Sequence, residues 1–463
     1  MRQEKSVRVA LAIVTLCCGL ALAGSLVAGQ DGNEVQGQDS AVEEAIDNET
    51  NASVVPPRDN ITVVTADSSA FLSDAEDARA ARLGSNLIAF APNGSIYYHS
   101  TNHTVYWDVD PVPNTSTTVE YVYADHLEGE VCEDRRGCTR NGVERLNLTT
   151  GETTQLFSRI TPNVSETRWH DVDRIDENRL LVADIAQDRA FVVNTTTGET
   201  VWEWNAETDF NRSTSGGPPG DWTHINDVEY VHIDGEPTVM VSVRNHDQVV
   251  FVDMEDGLRE NWTLGADEEH RILYEQHNPD YIPPANGGPA VVVADSENGR
   301  AVEYQRDNGS WERTWEWRDA RMTWPRDADR LPNGHTLMAD SNGDRVLEVD
   351  ENGTVVWSIS IGFPYEAERL GTGDESTGGP SAVAIDSKDR TPDSEDRPLL
   401  VDIVALFPPS IVSAVAYARP GWVGTRELLA AGGLLAAGPL WAIAEWRSRS
   451  LSVRSLRSLV GRE

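Results

Sequence analysis

The stretch Trp222-Thr223-His224-Ile225-Asn226-Asp227 decides how the chain is read, because its pattern returns. Upstream stands RWHDVDRI, with His170 and Asp173. Downstream stand EQHNPDYI, with His277 and Asp280, and WPRDADRL, with Arg326 and Asp329. Each reads H-x-x-D, with Arg326 in the histidine slot of the last copy. The separations are 224−170 = 54, 277−224 = 53 and 326−277 = 49 residues. Each copy is followed by a strand ending in VAD, VSV or MAD, a polar turn and a second strand (AFVVN, VVFVD, AVEYQ, VLEVD). A Gly-containing turn and a Trp-bearing strand (VWEW, NWTL, TWEW, VWSI) complete the unit. A self-similar period of this length, built of short strands and turns, is a β-propeller blade. The expected fold is therefore all-β, a six-bladed β-propeller. Four clear repeats make four blades. NLIAFAPNGSIYYHS with TVYWDVD makes a degenerate first one, and VEYVYADHL with GVERLNLTTGETTQLFS a second. A seventh blade, or ring closure through NITVVTA, stays open.

Length and charge bound the rest. The 463 residues suffice for one large domain with appendages. The formal net charge is −38, from 76 acidic against 38 basic residues, and Lys5 and Lys388 are the only lysines. Such a surface on a strand-rich chain suits a folded protein kept hydrated in concentrated salt, as in halophilic archaea. It disfavours nucleic-acid binding, because no basic patch is present to neutralise phosphates.

The ends read as membrane segments. A basic flank and the apolar run from Val9 to Ala28 make a signal peptide or a signal-anchor helix over residues 1–29. An acidic linker over 30–58 follows, then the propeller over 59–372 and a second acidic linker over 373–398. Two apolar segments in 399–446 read as a transmembrane helical hairpin, followed by a basic tail over 447–463. The tail, RSRSLSVRSLRS, conflicts with the positive-inside bias if every segment spans. These ends place the propeller on the extracellular side of the cell membrane. Asn-x-Ser/Thr sequons from Asn48 to Asn352 fit a glycosylated outer surface. Cys132 and Cys138, in VCEDRRGC, are expected to form a disulfide, since a metal site would need more soft ligands nearby.

The innermost strand of a blade presents its first residues to the central channel, so repeat-equivalent side chains converge there. His170, His224 and His277 are thereby candidates for one site, with Asn226 in the same turn as His224. Arg244, in VSVRNHD, stands where the neighbouring repeats read ADIAQD, ADSENG and ADSNGD. Asp173, Asp227, Asp280 and Asp329 read as turn caps or blade braces. His246, His270 and His335 lie outside the slot and read as surface residues. The repeated tryptophans read as packing core.

With WTHINDV, VSVRN, WTLG and EQHNPDY in place, the chain from about His170 to Ser358 resembles the arylsulfotransferases independent of 3′-phosphoadenosine-phosphosulfate. It looks like a divergent, membrane-anchored branch from halophilic archaea. The resemblance implies a propeller with a central funnel, where a histidine takes sulfuryl from a phenolic sulfate and hands it to a phenol. By position His277 matches the sulfated nucleophile. His224, Asn226 and Arg244 match the groups holding the sulfuryl oxygens, and His170 the remaining active-site histidine. Neither metal nor nucleotide cofactor is required, and the implied partners are a small-molecule aryl sulfate and a phenol. An N-terminal β-sandwich like that of the bacterial enzymes is not apparent, and the membrane hairpin is not part of their pattern. Two rivals remain: a non-catalytic extracellular binding or envelope module, and a metal-dependent propeller hydrolase.

Overall fold

The computed structural model describes residues 52–67, 85–132, 137–162 and 168–391. It also describes isolated residues at 11, 15 and within 42–48, and helical stretches at 430–434 and 437–446. The strands form six antiparallel sheets. Blade 2 comprises Val105–Pro111, Thr118–Leu127, Cys138–Asn147 and Glu152–Thr161. Blade 3 comprises Trp169–Arg174, Arg179–Asp184, Arg189–Asn194 and Thr200–Asn205. Blade 4 comprises Ile225–Ile233, Glu236–Val243 and Gln248–Asp253, its outer strand split into Gly257–Leu258 and Leu264–Gly265. Blade 5 comprises His277–Ile282, Ala290–Asp295, Arg300–Asp307 and Ser310–Trp317, and blade 6 Pro325–Arg330, Thr336–Asp340, Arg345–Val349 and Val355–Ser360. Blade 1 is composite. Thr62–Ala66, Asn86–Phe90 and Ile96–Ser100 take their innermost strand, Pro364–Arg369, from the other end of the propeller. Thr62 pairs with Arg369 and with Phe90, so NITVVTA does close the ring. TVYWDVD opens blade 2 rather than ending blade 1.

The strand types follow from the layers around them. Second strands have blades on both sides and read as continuous apolar runs: AVVVAD is buried at all six positions. Outer strands such as TVWEWN are largely exposed. Packing is divided into six apolar wedges, each between neighbouring blades. Leu181 and Val192 meet Val239 and Val241 between blades 3 and 4. Phe251 meets Val291 and Val302 between blades 4 and 5. Because the wedges hold the apolar mass, the channel is left to polar side chains. Trp204, Trp315, Trp317 and Trp357 are buried in the wedges, as packing core.

Two devices recur. Arg189–Asp184, Arg300–Asp295 and Arg345–Asp340 are buried ion pairs at 3.0, 2.6 and 2.8 Å that tie second strand to third. Blade 4 has Val243 and Gln248 in those two places. The second device braces one blade to the next through the unpaired edge of its inner strand, whose N–H groups need acceptors. Asp108 Oδ2 accepts from Val172 N at 3.1 Å and Asp171 Oδ2 from Val228 N at 2.7 Å. Asp327 Oδ2 accepts from Ala367 N at 3.1 Å and Glu229 Oε2 from Tyr281 N at 2.7 Å. Asp173 accepts from Tyr230 N, the bracing role expected of it.

Residues after the last strand also differ from expectation. Of the 373–398 segment, Ser376 donates to Asp280 and Glu375 N to Glu368 Oε1, while Arg390 N donates to Glu316 O at 2.9 Å. A helix at Ala382–Ile385 is held by Glu303, which accepts from Ala382 N at 2.8 Å. This segment is thus docked on the propeller through residue 391. So is the end of the 30–58 segment, where Trp357 Nε1 donates to Pro56 O. Cys132 and Cys138 are disulfide-bonded. The expected anchor and hairpin lie almost wholly outside the described residues. Among those described, no helix is long and apolar enough to cross a membrane.

Candidate active site

Every inner strand carries a β-bulge near its start, visible as a register shift against the second strand. The shifts fall between Tyr106 and Val109, Trp169 and Val172, Ile225 and Asp227, His277 and Asp280, and Pro325 and Asp327. In blade 1 the shift lies opposite Pro364 and Glu366. A bulge re-aims a side chain at the rim of a sheet. Aligned on the bulges, the slot of His170 is filled around the ring by Trp107, Asn226, His277, Arg326 and Tyr365. His224 is not in it. His224 stands two residues earlier, beside Glu275, Trp324 and Phe363 of other blades. All four share a left-handed backbone, with φ of 48°, 46°, 61° and 52°. The equivalent of Asp173 in blade 4 is likewise Glu229, not Asp227. The repeated H-x-x-D therefore holds for His170 and His277 only, and the three histidines reach one place from two successive layers.

They do meet. The rings of His170 and His224 lie 5.3 Å apart, edge to face. Tyr365 contacts both His170 and His277, at ring distances of 5.7 and 6.5 Å. Trp107 stacks on His170 at 4.2 Å. Asn226 Nδ2 donates to Gln276 O at 2.9 Å, leaving its buried Oδ1 without a partner. Arg244 is fixed beside them by Asn245 Oδ1, at 2.8 Å, and by Glu275. Arg326 donates to Asp67 at 3.0 Å and lies 5.0 Å over the Tyr365 ring.

The hydrogen bonds set the imidazole tautomers. The Ser296 hydroxyl has one proton and gives it to Pro325 O at 2.7 Å. It must then accept from His277 Nδ1, 2.8 Å away, which leaves the lone pair on Nε2. Burial, then Arg244 and Arg326, hold His277 well below the usual histidine range. Burial, then Arg168, does the same for His170. Burial also lowers His224, but Asp221 opposes it through an Nδ1···Oδ1 contact of 2.7 Å. Asp221 itself is held well below the carboxylate range: burial works the other way, but His224, Arg244 and Arg168 outweigh it. Two neutral imidazoles, a third with a carboxylate partner and two guanidiniums make a site for an anion and a nucleophile.

A cavity of about 550 Å³ opens beside this cluster, lined by Arg212, Gly216, Pro218, Asn245, Tyr274 and Glu275 among others. Asn245 Nδ2 donates to Asp221 O at 2.5 Å, so the cavity wall and the His224–Asp221 pair are one construction.

Sequence reasoning missed Asp221, Ser296, Trp107 and Tyr365. Trp107 and Tyr365 carry a legible signal, the alternating acids of WDVD and YEAE that match HDVD. Asp221 and Ser296 carry none, since their roles arise from turns. His246, read as a surface residue, is instead fully buried, packed on Phe210 and Trp222. His335 is half-buried against Glu348, and His270 stacks on Tyr274 at 3.8 Å.

Fold and site together define a six-bladed propeller whose channel holds three histidines beside two arginines. Residues 170–278 match the arylsulfotransferase (ASST) family, so the resemblance holds over the stretch that carries all three histidines. That match supports a function of aryl sulfotransferase type. No curated protein matches the chain. Among solved structures it is similar to a protein of unknown function from Bacteroides caccae, with 10% identity, 66% of this chain and 98% of that one covered, and a TM-score of 0.42. It is similar also to the periplasmic gluconolactonase PpgL of Pseudomonas aeruginosa, with 13% identity, 67% and 99% covered, and a TM-score of 0.41.

Proposed function

We propose that this end of the channel moves a sulfuryl group from an aryl sulfate ester to a phenol through a covalent intermediate on His277. The observation that carries the reading is the Ser296 hydroxyl, which accepts from Nδ1 and so leaves Nε2 of His277 as the nucleophilic atom. Nε2 attacks sulfur, an N–S bond forms and the S–O bond to the aryl group breaks, releasing phenolate. His224, the one histidine of the three with a carboxylate partner, protonates that phenolate from the imidazolium form paired to Asp221 and later regains the proton from the incoming phenol. The phenol oxygen then attacks sulfur, the N–S bond breaks and neutral His277 returns. Arg244, Arg326 and the second N–H of Asn226 Nδ2 donate to the sulfuryl oxygens from fixed positions, where charge builds in each transfer. His170, pinned between Trp107 and Tyr365, completes the wall. The neighbouring cavity, with the stacked Tyr274 and His270, takes the aryl group.

The test exposes the full chain briefly to a chromogenic aryl sulfate without acceptor and then measures intact and peptide masses. The expected result is a sulfuryl-sized gain on the peptide holding His277, discharged by phenol. No adduct from several aryl sulfates, in protein shown to be folded, would turn the reading to a module that holds anions without transferring them.

A further inference from the structure

The blade-to-blade brace accounts for Asp108, Asp171 and Asp327, each bonded to the next inner strand. It fails at three: Asp227, Asn278, whose Oδ1 has no partner, and Glu366. Where Asp227 would find its donor the next blade has Pro279, which has no N–H. Asp227 is 3% exposed and its Oδ2 has no partner. At the seam between blades 1 and 2, Glu366 and Asp110 accept no backbone N–H among the described residues. Oxygens of Asp108, Asp110 and Glu366 instead lie within 4.8 Å of one another, all buried. No arginine, lysine or histidine forms an ion pair with any of the three among the described residues. An amide completes the group from across the channel. Asn278 is 6% exposed, its Nδ2 lies 3.5 Å from Glu366 Oε2, and its Oδ1 has no partner. Turned end for end, that amide presents Oδ1 to the same spot.

We propose that Asp108, Asp110 and Glu366, with the amide oxygen of Asn278, bind one calcium ion in the channel beneath the histidine layer. Every donor is oxygen, which suits a hard cation and not zinc or copper. Three carboxylates from two blades and an amide from a third make an irregular set. Calcium, taking six to eight oxygens at flexible geometry, fits it better than magnesium, which demands a near-ideal octahedron. The ion joins Glu366 on the last inner strand to Asp108 and Asp110 on the first complete blade. It therefore fastens the seam where the ring closes, and its binding free energy adds to the stability of the closed ring.

The experiment titrates calcium chloride into the full chain, stripped with chelator and kept in concentrated potassium chloride to screen the acidic surface. Calorimetry is expected to show one saturable site per chain, tighter for calcium than for magnesium, with a rise in Tm. Asp110→Asn and Glu366→Gln should weaken it at least about tenfold, whereas the exposed Asp307→Asn leaves it unchanged. Terbium provides a second readout on the unaltered chain: bound there, it is sensitised by the adjacent Trp107 and displaced by calcium. Absence of a saturable site, equal affinity in folded Asp110→Asn, or stronger magnesium binding each overturns the proposal. None of these readouts depends on sulfuryl transfer.

Discussion

At His277 the whole reading turns on which nitrogen is free. Replacing it by Asn should lower kcat by about a thousandfold or more and abolish the mass adduct, a loss that follows from removing a nucleophile. Ser296→Ala keeps the imidazole but releases its tautomer, so kcat should fall roughly tenfold with little change in KM. The pH dependence has a definite sign. The attacking imidazole must be neutral, and His277 is held well below its ordinary 6.5, chiefly by burial and then by Arg244 and Arg326. Activity should therefore persist as pH falls through 6.5, with the acid limb of kcat/KM lying below that value. A limb at or above 6.5 would point to a different nucleophile. His277, His224 and His170 were legible as candidates through the repeat, Asn226 through the turn it shares with His224, and Arg244 through its departure from the neighbouring repeats. Their layering was not, since a bulge changes which residue faces the channel without changing the spacing of letters.

The turn that carries Asp221 shows how an element tunes a site it only borders. Trp222 Nε1 donates to Ser215 O at 2.7 Å, and Gly216 sits at φ +77° with no room for a Cβ. An added methyl would stand 2.7 Å from Trp222 O and 2.3 Å from His246 Cε1. Gly216→Ala should cost about 1–2 kcal/mol in stability and, by shifting Trp222, unseat the His224–Asp221 contact. The checks are a denaturation midpoint and a fall in kcat together. Elsewhere the recurring ion pairs set the cost of change. Asp184→Ala leaves the Arg189 guanidinium with only the half-exposed Glu203 as partner, and about 1–3 kcal/mol should be lost, read by chemical unfolding. Blade 4 lacks that pair, having Val243 and Gln248 in its place, and Arg244 follows directly. The departure VSVRNHD was visible in the sequence as an oddity of blade 4. What it replaced, an Asp–Arg tie, was not, because the partner lies on another strand.

Across the molecule, two charge effects should be measurable. A net charge of −38 makes stability rise with added salt as self-repulsion is screened. His103 supplies the pH counterpart. Burial alone would lower it, but hydrogen bonds to Asp125 and Glu144 raise it to about 9. Its contribution is fully present below about 6.5 and lost as pH rises through about 9. His103→Gln should flatten that alkaline decline in a melting-temperature series. Six blades and the polar channel could be read from period and alternation. NITVVTA could be read as a strand able to close the ring, but its partner in the composite blade, PYEAER, could not, because the two lie some 300 residues apart (369−62 = 307) and share no local signal. That blade has a consequence for how the protein comes into being. Its inner strand is made last, so a growing chain holds five blades and an open three-stranded edge until residue 369 has emerged. No ring, and hence no assembled histidine site, exists before that point. Chain ends must find each other across almost the whole propeller, a slow search. The histidine cluster is thus completed in a single late step.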